Sequence, residues 1–309
     1  MSKTIITVRE DGDVAQFNGS WYRGPNTNFI PNKKRVRAEN GFDKFIAKGW
    51  TPAAPFISKD HSITSFGSCF AIHITNHLAK AGYKVPIRNP TITDSYVVTF
   101  GEGLVNTFAI RQQMEWGFGE KKFDDQLWFG KNKEVVGVDE NVRLATEKLF
   151  QETDVFIFTL GLSEIWYNKQ NGEALWGSVP TDIYDEDIYG FRVSTVQENL
   201  ENLIAIRNVI RKYRPDAKMI VTLSPVPLMA TFRAVSCLTA SSVSKSILRV
   251  AIDEFMRGQP EGQQDTFYYP SYEGILNCFD DPFKDDNRHP KDEHIAVMLN
   301  NFMKYYCLE

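Results

Sequence analysis

Cysteine is scarce in this sequence. Cys69, Cys237, Cys278 and Cys307 are the whole set among 309 residues, and no two stand in a C-x-x-C arrangement. That spacing excludes a zinc knuckle and a thioredoxin-type redox pair. Basic surplus is also absent: 35 Lys and Arg stand against 39 Asp and Glu, a formal charge of -4, which does not suit a phosphate backbone. The one basic cluster, "NKKRVR" near residue 32, reads as a solvated loop, so no nucleic-acid partner is expected. No uncharged apolar run approaches the roughly 20 residues that cross a bilayer, so no membrane span is expected. The opening "MSKTIITVREDGD" carries charge from the start and has no apolar block, unlike a secretory leader. The expected compartment is therefore cytoplasmic and the expected thiols reduced. Finally, no P-loop and no strand-borne G-x-G-x-x-G is present; "GEGLVNTF" offers only G-x-G. Nothing in the motifs calls for a bound cofactor.

What is present is an ordinary soluble composition, 42% apolar and 24% charged, long enough for one sizeable core. Residues 1–60 are rich in Asn, Pro, Gly and charge, with scattered aromatics as in "FNGSWYRGPNTNFIP". They read as an irregular extension packed on a main domain of residues 61–309. There the pattern alternates strand and helix. "SITSF" is a short buried strand, and a helix follows over 69–80 with Phe70, Ile74 and Leu78 on one stripe and Gly82 at its end. "NTFAIRQQMEW" and "DENVRLATEKLFQ" are further helices, and "DVFIFTLG" is a strand apolar on both faces. "IWYNKQNGEALW" carries an Asn-Gly hairpin signal. A long helix opens at "STVQE" on Ser or Thr, with Gln197 and Glu198 placed for a capping box; strand "KMIVTLSPVP" follows, and helix "SKSILRVAIDEFMRG" leads to the last strand, "TFYYPSY". A last helix packs Ile295, Met298, Leu299 and Phe302 inward. Strands joined through helices imply a mainly parallel sheet in a three-layer α/β/α sandwich. Ligands bind such sheets beyond the carboxyl ends of the strands. The turns "FGSC", "TLGLSE" and "TLSPVP" should therefore gather on one edge.

"ITSFGSCF" places two nucleophilic side chains, Ser68 and Cys69, at a strand-to-helix corner. The first turn of a helix offers unpaired amides and the positive end of its dipole, an environment that favours a thiolate and can hold an oxyanion. The alternative is a helix-capping Ser68 beside a small buried thiol. A nucleophile needs an oriented base. His289 follows Asp286 by three residues in "DDNRHPKDEH", so the carboxylate can hold one ring nitrogen while the other faces a reacting proton. His294, one helical turn on, is the second candidate. His73 and His77 lie on successive turns beyond Cys69, but three ligands on one straight helix converge poorly and no metal site is expected. Glu164, just past a buried strand, could bind a sugar hydroxyl, tune His289 or pair with an arginine. Trp166, Tyr167 and Trp176 flank that strand end, either as a stacking surface for sugar rings or as core.

"SFGSCFA", "FTLGLSEIW", "TLSPVPLMATF" and the terminal D-x-x-H-P occur in this order over roughly residues 50–305. The chain resembles the GSCFA family, a branch of the SGNH/GDSL hydrolase superfamily. The resemblance implies a flavodoxin-like α/β/α sandwich and acyl-ester chemistry on carbohydrate; the acyl group expected here is acetyl, and the substrate a carbohydrate or polysaccharide precursor. Laying "GSC" on the superfamily's Gly-Asp-Ser puts Cys69 in the nucleophile position and Ser68 where Asp normally stands; Ser68 as nucleophile is the second choice. It also implies Asp286 and His289 as the remaining pair, and an oxyanion hole drawn from Gly103 or Asn106 in the second block. The third block reads Gly161-Leu162-Ser163-Glu164, without the superfamily's Asn, so the Gly161 amide or the Ser163 hydroxyl would take its place. Two outcomes stay open: a hydrolase or acyltransferase, with acetyl-CoA as the donor a thiol would accept, or a carbohydrate-binding protein whose catalysis has lapsed. The partner expected in either case is a small-molecule or glycan substrate; the oligomeric state is not legible.

Overall fold

The computed structural model describes residues 5–10, 13–19, 21–22, 24–86, 105–125, 127–129, 135–136, 139–260 and 265–308. Expected residue Gly103 falls outside them. In chain order the elements are β1 (Ile5–Glu10), β2 (Asp13–Asn18), α1 (Lys33–Val36), β3 (Ile63–Gly67), α2 (Cys69–Lys80) and α3 (Thr107–Gly117). These are followed by β4 (Trp128–Phe129), β5 (Val135–Val136), α4 (Glu140–Gln151), β6 (Val155–Leu160), β7 (Glu164–Asn168), β8 (Tyr189–Val193) and α5 (Val196–Tyr213). The chain closes with β9 (Lys218–Leu223), α6 (Cys237–Arg257), β10 (Thr266–Tyr269), α7 (Ser271–Cys278) and α8 (Asp292–Tyr306).

Four parallel strands, in the order β10-β9-β6-β3, form the central sheet. The apolar run of β6 explains why it lies inside. With a side-chain period of two, Phe156, Phe158 and Leu160 enter one core and Val155 and Ile157 the other. Each buried Phe contributes roughly 2–3 kcal/mol by area. Helices α2, α7 and α8 cover the second core and α3 to α6 the first. The result is the three-layer α/β/α sandwich that the strand–helix alternation implied. Beyond β3 the chain returns beside it, the Ile63 amide donating to Lys84 O at 3.0 Å on the side away from β6.

The local signals explain most of the element ends. Phe70, Ile74 and Leu78 are buried, and α2 ends in a Schellman motif: Gly82 takes φ +83°, its amide reaches Ala79 O at 3.1 Å, and the Tyr83 amide reaches Leu78 O at 3.0 Å. Thr195 and Glu198 form the expected capping box of α5. Gly172 turns at φ +77° in the Asn-Gly segment, where Tyr167 bridges Ala174. The main partner of β7, however, is the later strand β8.

Two readings need correction. Helix α6 starts at Cys237 rather than Ser244. Its first turns carry Ser and Thr, not an apolar stripe, because buried Ser241 and Ser244 accept the Leu228 and Ser163 amides. The N-terminal extension is also less irregular than its composition implied. It contains the antiparallel pair β1–β2, and Phe42, Ala47 and Ile57 are buried in the core beside α8.

Candidate active site

The ends of β3, β6 and β9 meet at one edge. Gly67 closes β3 at φ +114°, and a Cβ there would sit 2.0 Å from Thr159 O of β6. Only glycine lets the chain leave the strand this close to its neighbour. Ser68 is the N-cap of α2: its Oγ accepts the Phe70 amide at 3.3 Å and donates to Ser224 Oγ at 2.9 Å. Ser224, the first residue past β9, in turn accepts the Val226 amide at 3.2 Å and donates its own amide to Leu160 O at 2.8 Å. Cys69 therefore stands at the first helical position, half-buried.

Two cavities flank it. The larger, about 430 Å³, runs from Ser68, Cys69 and Ser224 past Asn106 and Gly161 to Glu164 and Trp166. The smaller, about 100 Å³, lies over His289, His73 and Pro290. Cys69 and Val226 line both.

His289 is held by a tight loop. Phe283 bridges Pro290, the Lys284 amide donates to His289 O at 2.8 Å, and Asn287 sits in the left-handed region at φ 52°, which Asn tolerates better than most side chains. Asp286 Oδ1 accepts the Arg288 and His289 amides at 3.0 and 2.9 Å. Its Oδ2 accepts from the His289 ring at Nδ1, 2.6 Å away. The hydrogen bond from His289, with the two amides behind it, holds the Asp286 carboxyl well below the usual carboxylate range. On the other ring nitrogen, Arg288 Nη1 donates to Nε2 at 3.0 Å. A guanidinium has no lone pair to offer, so Nε2 is the unprotonated nitrogen and Nδ1 carries the proton toward Asp286. His294 is placed differently: it stacks on Phe279 at 3.9 Å, and neither cavity is lined by it. Among the described residues no three His, Cys, Asp or Glu converge on a point that could hold a metal.

The second- and third-block residues meet across the cleft. Gly161 lines it, but its amide is spent on Val105 O at 2.7 Å. Ser163 is fully buried and does not line the cleft, and its hydroxyl meets no hydrogen-bond partner among the described residues. Neither donor therefore points to a cleft-bound oxyanion as the structure stands. Asn106 is better placed. It lines the cleft as N-cap of α3, with Oδ1 held by the Ala109 amide at 2.9 Å. That anchor fixes which end of the amide is which and leaves the NH2 as its remaining donor. Glu164 is buried against the cleft wall, Thr231 Oγ1 lying 2.9 Å from each carboxylate oxygen and Arg233 4.0 Å away. Trp166 lines the cleft with Phe191 and Phe232, its ring 4.8 Å from that of Phe232. Trp176 belongs instead to the core, edge-on to Trp116 and Phe123.

Sequence reasoning missed three of these residues: Ser224, Arg288 and Lys245. The last had a legible signal, since a lysine breaks the buried stripe Ser241, Ser244, Leu248, Ile252 of α6. Lys245 is 4% exposed, and its Nζ donates to Gly161 O at 3.0 Å. Burial, reinforced by the charge of Arg288, pushes its amine down from 10.5 to about 7. Between these values the unfolded chain binds one proton more than the folded chain, so this lysine makes stability rise with pH. Relative to Lys245→Met, the wild-type unfolding free energy should gain about 2–3 kcal/mol between pH 7 and pH 9. Urea titrations at both pH values check it, and a difference that does not change with pH would contradict the neutral buried amine.

The sequence matches the GSCFA family over residues 62–302. The chain belongs to the GSCFA family. Its signature letters are the corner just described, Gly67-Ser68-Cys69-Phe70-Ala71. No curated protein sequence matches the chain. Solved structures resembling this GSCFA protein include a family 3 carbohydrate esterase from Talaromyces cellulolyticus, at 12% identity and TM-score 0.37 over 78% of this chain and 94% of that one. A GDSL-like lipase from Bacteroides thetaiotaomicron aligns at 11% identity and TM-score 0.38, over 87% and 94% of the two chains. An acetyl xylan esterase from Butyrivibrio proteoclasticus aligns at 14% identity and TM-score 0.37, over 82% of this chain and 64% of that one. Among the described residues no helix is long and apolar enough to cross a membrane.

Proposed function

We propose that this GSCFA protein is an acyl-ester enzyme in which Cys69 is the nucleophile, His289 the base and Asp286 the residue that orients it. One observation carries the reading: Cys69 lines both the large cleft and the small histidine pocket, whereas the Ser68 hydroxyl is committed to capping α2 and to Ser224. A thiol at the first position of a helix is where the dipole favours a thiolate. The Asp286 carboxylate fixes the tautomer that leaves Nε2 able to take a proton, and stabilises the imidazolium that results.

The chemistry then balances. Cys69 Sγ adds to the ester carbonyl as its proton passes to His289 Nε2. The tetrahedral oxyanion, facing the Asn106 NH2, collapses to a thioester, and the leaving alkoxide takes the proton back from His289. Water, or an acceptor hydroxyl, then attacks the thioester with the same proton relay in reverse and regenerates the thiol. Transfer rather than hydrolysis follows when the acceptor outcompetes water, and acetyl-CoA, itself a thioester, is the donor that would load the same sulfur. The aromatic wall of Trp166, Phe191 and Phe232 with the Glu164 carboxylate suits an acetylated sugar, whose ring stacks on aromatic faces and whose hydroxyls need acceptors. A binding protein would not require the Asp286–His289 pair, which is the feature that favours an enzyme.

The test is turnover of 4-nitrophenyl acetate. His289→Ala should lower kcat/KM by about 10³-fold and Asp286→Asn by about 10²-fold or more. Turnover by wild type that both variants retain would remove the histidine from the chemistry. No turnover of any acetyl ester would leave the binding protein as the better account.

A further inference from the structure

Arg288 is the charged residue of the cleft that the scheme above does not use. Its position is unusual in three respects. It lines the large cleft. Its Nη1 donates to His289 Nε2 at 3.0 Å, the nitrogen that must accept the proton of Cys69. Its Nε is buried and has no hydrogen-bond partner among the described residues, which is costly for a polar group in protein. A guanidinium donating to Nε2 occupies the lone pair of the base, so His289 as described is engaged. The other charged residue lining the cleft among the described residues, Glu164, is held by Thr231.

We propose that Arg288 is an anion-reading latch: a carboxylate or phosphate on the substrate draws the guanidinium away from His289 Nε2, satisfies its Nε, and so frees the base more often with an anionic ester in the cleft than with a neutral one. The chemistry that recognises the partner is the shared one, an oxyanion within reach of the acyl group. An oxyanion is a stronger and bidentate acceptor for the guanidinium fork than an imidazole nitrogen. Neutral acetyl esters would bind the same cleft and meet a base that Arg288 engages for more of the time, so they turn over more slowly.

The proposal rests on the Cys69–His289 reading, so its test must separate the two. Iodoacetate and iodoacetamide differ in charge and little in size, and both alkylate thiolates. Rates at Cys69 would be followed by peptide mapping in wild type, Arg288→Gln and Arg288→Lys. The iodoacetate-to-iodoacetamide rate ratio should fall about tenfold in Arg288→Gln and stay within about threefold of wild type in Arg288→Lys. A ratio unchanged by Arg288→Gln overturns the latch while leaving the nucleophile in place. If iodoacetamide labels Cys69 no faster than Cys237, the nucleophile reading falls and the latch with it. Hydrolysis of an acetylated uronate, an acetylated sugar phosphate and the acetylated neutral sugar then distinguishes the source of the charge. At least one anionic sugar should be preferred tenfold or more over the neutral one by wild type, and Arg288→Gln should erase that preference; equal turnover of all three by wild type would also overturn it.

Discussion

Cys69→Ala should lower acetyl-ester turnover by at least about 10³-fold, while Ser68→Ala should stay within about tenfold of wild type. The contrast follows from what each side chain is already doing. Ser68 Oγ has an amide to accept and Ser224 to donate to, and attacking a substrate would break both contacts. Its removal costs a helix cap and one buried hydrogen bond, about 1–2 kcal/mol of stability, with a modest effect on rate through the seating of α2. In the proposed mechanism, removing Cys69 instead deletes the atom that would form the covalent bond, leaving only the catalysis that cleft binding and an Asn106 donor would supply. Steady-state kinetics on the three proteins, with thermal unfolding to confirm that each is folded, makes the comparison. Equal losses in both variants would mean that the corner matters as a fold element, and a larger loss in Ser68→Ala would transfer the nucleophile's role to the serine.

Gly67→Ala should destabilise the chain by at least about 4 kcal/mol and in practice prevent stable folding. Two independent costs add at this residue. A φ of +114° lies in a region that L side chains rarely adopt, and the new Cβ would approach Thr159 O to 2.0 Å. Thr159 cannot yield, because β6 is paired with β3 on one side and β9 on the other. Relief would require parting β3 from β6 at the edge that holds Cys69, so any folded fraction should also lose reactivity. Gly82→Ala offers the contrast. It shares a positive φ of +83°, but no atom lies within 4 Å of its Cβ, so a loss of only about 1 kcal/mol is expected there. Urea unfolding of both variants against wild type measures the difference; near-equal midpoints would show that the strand edge is more compliant than its pairing implies.

Much of the fold was legible because the signals were local and agreed with one another. The continuous apolar run of "VFIFTL" marked the central strand, Gly82 the end of α2, and Thr195 with Glu198 the start of α5. The start of α6 was not legible, since buried serines that receive backbone amides from distant loops look polar in sequence. The same divide runs through the site. Asp286 and His289 are three residues apart, and their contact is nearly dictated by spacing. That the Gly161 amide is taken by Val105, that the Ser163 amide is taken by Ser244, and that Ser224 receives the Ser68 proton all depend on partners 50 or more residues away. Arg288 illustrates the limit most sharply: in sequence it is one more charge in an exposed loop, and only the folded loop places it on the base.

The most direct test of the account is intact-protein mass spectrometry after brief exposure to acetyl-CoA and, separately, to an activated acetyl ester, followed by peptide mapping and treatment with neutral hydroxylamine. The account predicts a single acetyl adduct on Cys69, released by hydroxylamine as a thioester is, persisting in Ser68→Ala and absent from Cys69→Ala. An adduct that maps to Ser68, or labelling of wild type that survives in Cys69→Ala, would contradict it.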